Sequence, residues 1–182
     1  PGRKRYLMAE DERNERKLLV PRDRGGYGLD GAWADDFHHQ IRNKIAGDKE
    51  SYYADFAGTT AADIQKTLRT GWFYRGQPSA FHERERGTVP EGVPLDRFVI
   101  CIQNHDQIGN RAYSERLAAL AEPAMVEALI ALLLLSPQVP LIFMGEEWGE
   151  TNPFRFFTDF GGELAVAVRE GHRREFAKWP HF

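Results

Sequence analysis

The 182-residue chain has little cysteine: Cys101 stands alone. A lone cysteine excludes an internal disulfide framework and a thiolate metal site. Cys101 lies within an apolar run and reads as a buried, reduced core residue. Long apolar runs are also missing. The longest, residues 128–135, has the size of a core helix segment, well short of the roughly 20 residues that cross a membrane. No signal peptide, internal repeat, Gly-rich phosphate loop, serine elbow or CxxC pair is found. Excess charge of one sign is absent as well. The net charge is -3, so neither nucleic acid nor an anionic membrane is an expected partner. A cytoplasmic location is the expectation. The chain starts at Pro1 and enters an apolar stretch with no lead-in. A fragment of a longer protein, cut at its N-terminus, is expected from this.

What is present suffices for a packed core: 42% of residues are hydrophobic and 28% charged. Residues 5–9 read as a short buried strand, ending at Glu10. Residues 22–29 read as loop. Ala32, Trp33 and Ala34 suit a second strand, ending at Asp35 and Asp36. Phe37, Ile41 and Ile45 recur at helical spacing and predict a helix over 37–46, stopped by Gly47. Another helix is predicted over 60–68, opened by a Thr cap and closed near Gly71. Residues 73–96 show no periodicity and read as a long loop.

The run FVICIQNHDQIGN, residues 98–110, is the most informative. A β-type stretch over 98–102 ends abruptly in Gln103, Asn104, His105, Asp106 and Gln107. A short helix is expected within 110–121, and a strong one from Pro123 to about Leu135. Residues 136–140 break it, 141–144 predict the last strand, and 163–178 an amphipathic helix. Alternating strand and helix predicts an α/β protein of parallel units. Each predicted strand has carboxylates just past its end: Glu10, Asp35 with Asp36, Asp106, and Glu146 with Glu147. In parallel β/α units, that end of the strands is where chemistry gathers.

Glu10 directly follows an apolar strand, which favours a desolvated carboxyl suited to general acid work. Asp106 lies beside His105 and amides, whose hydrogen bonds would keep it ionised. Two carboxyls in different environments form an acid and anion pair. Local sequence leaves plainer roles open: a cap or surface ion pair for Glu10, a helix cap for Asp106, a solvated turn for Glu146. His38, His39, His105 and Asp106 could also form a His/Asp metal cluster of the phosphohydrolase kind. That cluster belongs on helices, whereas here the His-Asp pair follows a β-type run. Many aromatics, including Trp33, Tyr52, Trp148 and Phe156, fall near strand ends and suit a sugar cleft as well as a core.

Several blocks resemble the α-amylase family of glycoside hydrolases, family 13. LMAEDERN is similar to its strand-5 region, FVICIQNHD to strand 7 and PLIFMGEEWG to strand 8. The combination of AEDERN, GYGLDGAWADDFHHQIRNKIAG, YYADF, FVICIQNHDQIGNR, SPQVPLIFMGEEWGETNPFRFFTDF and VREGHRREF resembles its trehalohydrolase branch. The resemblance implies a partial (β/α)8 TIM barrel covering strands 5 to 8, occupying residues 1–182. It implies Glu10 as general acid/base, Asp106 as transition-state stabiliser, and His105, Asp36, His39, Gln107 and Glu146 as substrate contacts. The implied substrate is a maltooligosyltrehalose or related α-glucan, cut at the α-1,4 bond beside its trehalose end without metal or organic cofactor. An α-glucan branching enzyme, an α-amylase or a non-catalytic carbohydrate-binding piece are the alternatives. The family's nucleophilic Asp precedes the strand-5 Glu, and none of the nine residues before Glu10 is Asp. The chain alone is therefore expected to be inactive, with two open strand edges that invite self-pairing.

Overall fold

The structure is a computed structural model and describes residues 2–177. It contains strands β1 (Met8–Ala9), β2 (Gly31–Trp33), β3 (Gln77–Ser79), β4 (Arg84–Arg86), β5 (Phe98–Ile100) and β6 (Val139–Pro140). Four of them form one sheet in the order β1-β2-β5-β6, every pair parallel. The register sets Met8 beside Gly31, Ala32 beside Phe98, and Val99 beside Val139. Strand β5 is buried throughout. A strand covered on both faces needs apolar residues at successive positions, which is why Phe-Val-Ile occupies it.

The helices are α1 (Asp35–Ile41), α2 (Ala61–Thr70), α3 (His105–Gly109), α4 (Leu117–Leu120), α5 (Pro123–Leu135) and α6 (Gly162–Phe176). Helix α1 runs on into a π turn over Arg42–Ala46, which Gly47 ends at φ 77°. Thus the helix expected over 37–46 is present and begins two residues earlier. Thr60 caps α2 as expected, and Asp63 completes a reciprocal capping box. After α2, Gly71 has φ +100°, and a Cβ there would come within 2.4 Å of the Phe98 ring. Glycine therefore permits both the backbone turn and the edge-on contact of Trp72 with Phe98, centroids 5.1 Å apart. This pair anchors the core, together with Phe37, Ile41, Ile100, Ile102, Leu117, Leu129 and Leu133.

Three expectations are corrected. The first strand is only two residues long, because β1 lies at a sheet edge and Tyr6 and Leu7 are exposed. The stretch 73–96 is not all loop: β3 and β4 pair in an antiparallel hairpin. Its strands read QPS and RER, polar with no alternation to reveal them. The short helix expected within 110–121 is present as α4, and a further one, α3, begins at His105 itself, capped by Asn104, whose side chain accepts from the amides of Asp106 and Gln107. Finally, the last strand lies at 139–140, earlier than 141–144. Proline has no N–H to donate to a ladder, but at an edge Pro140 leaves no partner unsatisfied. Of the helix predicted over 163–178, α6 covers most and Lys178 lies outside the described residues.

Apart from Glu127, helix α5 is apolar on every side. Leu129 and Leu133 reach the core, whereas Met125, Leu132, Leu134 and Leu135 are exposed. Beside it opens a cavity of about 630 Å³, lined by α5, Ile142 and residues 146–149. Among the described residues no helix is long and apolar enough to cross a membrane.

Candidate active site

Parallel strands in one sheet deliver their C-terminal ends to the same side. There, Glu10 follows β1, Asp35 and His39 lie on α1 after β2, and Asp106 and Gln107 lie on α3 after β5. With Asp11, Glu12 and Tyr52 they line one cleft of about 210 Å³. Glu10 Oε1 stands 3.8 Å from His105 Nε2. The His105 ring sits edge-on to Trp33, 6.2 Å between centroids, and 6.3 Å from Phe156. Gly109 makes room for this wall, since a Cβ there would meet the Phe156 ring at 2.5 Å.

The carboxylates differ from the sequence expectation. Glu10 is 59% exposed, not desolvated. The reason is its edge strand, which has no neighbour beyond it among the described residues. Asp106 is not simply kept ionised. Partial burial pushes its pKa up, His105 pulls it back, and the charges of Glu10 and Glu12 add to the rise. Asp35, which the resemblance did not single out, has the stronger perturbation. Burial, then the neighbouring Asp36 charge, push it up to about 7. The sequence marks it only as one of two adjacent carboxylates past β2.

His39 is 5% exposed and lines the cleft. Its ring packs 4.8 Å from Tyr52 and 5.2 Å from Phe56. Neither ring nitrogen makes a hydrogen bond among the described residues. Burial, reinforced by His38, holds its pKa well below the ordinary value, so the ring is neutral and able both to donate and to accept. Gln107 is also buried, and its Oε1 has no partner among the described residues. Buried polar atoms are seldom left unmatched in a finished protein. Here two such side chains line the same cleft, where the hydroxyls of a ligand could match them.

Asp36 and Glu146 lie elsewhere. Asp36 is fully buried and does not line the cleft. Its carboxylate pairs with Arg86 at 2.8 Å and accepts from Asn14 Nδ2 and from the amides of Phe73 and Tyr74. It therefore ties the segment after β1 to the β3–β4 hairpin. Glu146 lines the apolar cavity beside α5. Burial pushes its pKa up to about 7, opposed by the Phe143 amide, which donates to Oε2 at 2.8 Å.

Because that carboxyl titrates above its ordinary value, folding favours the protonated form. The stability it supplies is present below about pH 4.5 and is lost as pH rises towards 7. Glu146→Gln should accordingly stabilise the chain at pH 8, by up to about 3 kcal/mol, and have little effect at pH 4.5. Urea unfolding at the two pH values checks this, and an equal effect at both would refute it.

His38 is structural in its contacts. Its Nδ1–H donates to Ile102 O at 2.8 Å, leaving Nε2 to accept from Tyr53 Oη at 3.4 Å. Burial pushes its pKa down to about 3. Among the described residues no three His, Cys, Asp or Glu side chains are grouped to hold a metal ion.

No family model matches the chain. Curated relatives do. It is 41% identical to the malto-oligosyltrehalose trehalohydrolase of Saccharolobus solfataricus, over 94% of this chain and 30% of that protein. It is 43% identical to the enzyme of the same name from Deinococcus radiodurans, over 100% of this chain and 30% of the relative. A crystal structure from Salmonella typhimurium, provisionally named an alpha amylase, superposes with TM-score 0.86 at 46% identity. That match covers 96% of this chain and 30% of the other. Over nearly its whole length the chain is thus similar to about 30% of the length of proteins named malto-oligosyltrehalose trehalohydrolase and of a structure provisionally named an alpha amylase.

Proposed function

We propose that the chain forms strands 5 to 8 of a (β/α)8 barrel, with β1, β2, β5 and β6 in those places. The open edges of β1 and β6 and the apolar surface of α5 support this reading. Each would be covered by the other half of a closed barrel. The whole barrel is a retaining hydrolase of maltooligosyltrehalose, releasing trehalose. The observation that carries this is the meeting of Glu10, His105 and Asp106 at the strand ends, in a chain about 40% identical to proteins named for that reaction.

Glu10 protonates the oxygen leaving towards the trehalose unit. A nucleophilic carboxylate contributed by the other half attacks the anomeric carbon, forming a covalent glycosyl-enzyme. Glu10, now ionised, draws a proton from water, which releases the glycan. Asp106 bears its charge beside the oxocarbenium-like transition state. Neutral His39, Gln107 and half-buried His105 face sugar hydroxyls. Asp36 acts through position rather than contact.

The test compares the 182-residue chain with the completed barrel, each given maltotriosyltrehalose. The completed barrel is expected to release trehalose and the chain alone none. Turnover by the chain alone at the rate of the completed barrel would overturn the division of catalytic groups between the halves.

A further inference from the structure

Asp106 Oδ1 accepts a hydrogen bond from Asn110 Nδ2 at 2.7 Å, one helical turn further on. The Asn110 backbone N–H also reaches Asp106 O at 3.0 Å. On its far side, Asn110 Oδ1 lies 3.4 Å from Nε2 of His172 on α6. The polarity of this chain of contacts is dictated by chemistry. An ionised carboxylate only accepts, so Asn110 must turn its NH2 towards Asp106. Its oxygen then faces His172, which must carry a proton on Nε2 to donate. Phe176, buried one turn along α6, packs 4.7 Å from the His172 ring. Arg111, next to Asn110, is tied at 2.8 Å to Asp48, which also pairs with the buried Arg42. Both sides of Asn110 are therefore anchored. The second oxygen of Asp106 accepts no hydrogen bond among the described residues and is left to the cleft.

We propose that Asn110, backed by His172, is a positioning residue that fixes the rotation of the Asp106 carboxylate and so presents one oxygen to the substrate. This rests on the reading of Asp106 as the transition-state stabiliser. It also makes α6 part of the active-site support, although that helix contributes no residue to the cleft. A free carboxylate rotor would sample several orientations. A small misplacement of a charged group near the reacting carbon is costly to rate.

The experiment is a carboxyl-carbon NMR titration of Asp106 in the 182-residue chain. Glu10, Glu12, His105 and Glu175 all act on Asp106, and none is altered, so differences between variants report Asn110. Asn110→Leu keeps the side-chain volume and removes the donor to the charged form. The Asp106 midpoint should rise by about one unit. His172→Leu should raise it by a smaller amount, and His172→Gln, which retains a donor, should leave it unchanged. An unchanged midpoint in Asn110→Leu with a native amide spectrum would overturn the proposal. Should that variant fail to fold, equal midpoints in His172→Leu and His172→Gln would overturn it. A midpoint shift together with full activity of Asp106→Asn in the completed barrel would instead remove the catalytic reading of Asp106 and leave the tether standing.

Discussion

Asp36→Ala is expected to lower the unfolding free energy of the chain by about 3–5 kcal/mol, the usual cost of stranding one member of a buried ion pair. Arg86 is only 6% exposed and would keep its charge without a counter-ion. The amides of Phe73 and Tyr74 and the Asn14 side chain would lose their acceptor at the same time. A drop of this size moves the thermal midpoint by about 6–20 °C in a chain of this length. Asp36→Asn should cost less, because its amide oxygen can still accept from the two backbone amides. Thermal melts of the three proteins check this order. A change below about 1 kcal/mol for Asp36→Ala would mean that the hairpin is held by other contacts. The functional consequence is local. Asn14 and Glu12, which bond to Asp36 and Arg86 respectively, follow Glu10 closely in the chain. Loosening them displaces the candidate acid.

Glu10→Gln in the completed barrel should reduce trehalose release by about 10²- to 10⁴-fold, the usual worth of a positioned proton donor. The loss should depend on the leaving group. An alkoxide departing towards trehalose needs the proton, whereas an aryl leaving group of low pKa departs without it. The first step on an aryl α-glucoside should therefore lose far less in Glu10→Gln. Asp106→Asn should slow both substrates together, because transition-state charge develops whatever the leaving group. Rates for the two variants on the two substrates separate an acid from an electrostatic stabiliser. Equal losses in Glu10→Gln on both substrates would assign Glu10 a binding role only.

Much of the architecture was legible because it depends on burial. The fully covered β5 had to be a continuous apolar run, whereas α5 stood out by its own apolar run and the Pro at its first turn. The capping box at Thr60 and the Gly71 stop are local chemistry, readable without a fold. What escaped was governed by pairing between distant residues. The β3–β4 hairpin has polar strands, and its buried Arg86 meets Asp36 some fifty positions away. The shortness of β1 follows from its place at the edge, which sequence alone does not announce. In the site, three of the carboxylates past strand ends, Glu10, Asp35 and Asp106, line one cleft. Between Asp35 and Asp36, neighbours on one helix turn, the sequence offered no means of telling which faces the cleft. The π turn after α1 and the Asn110–His172 tether likewise depend on contacts that no periodicity encodes.

The most direct measurement follows the completed barrel acting on maltotriosyltrehalose by proton NMR in the first minutes, before mutarotation. Retaining hydrolysis beside the trehalose unit predicts trehalose and α-maltotriose as the first products. Initial β-maltotriose, or glucose and maltose without trehalose, would contradict the assignment.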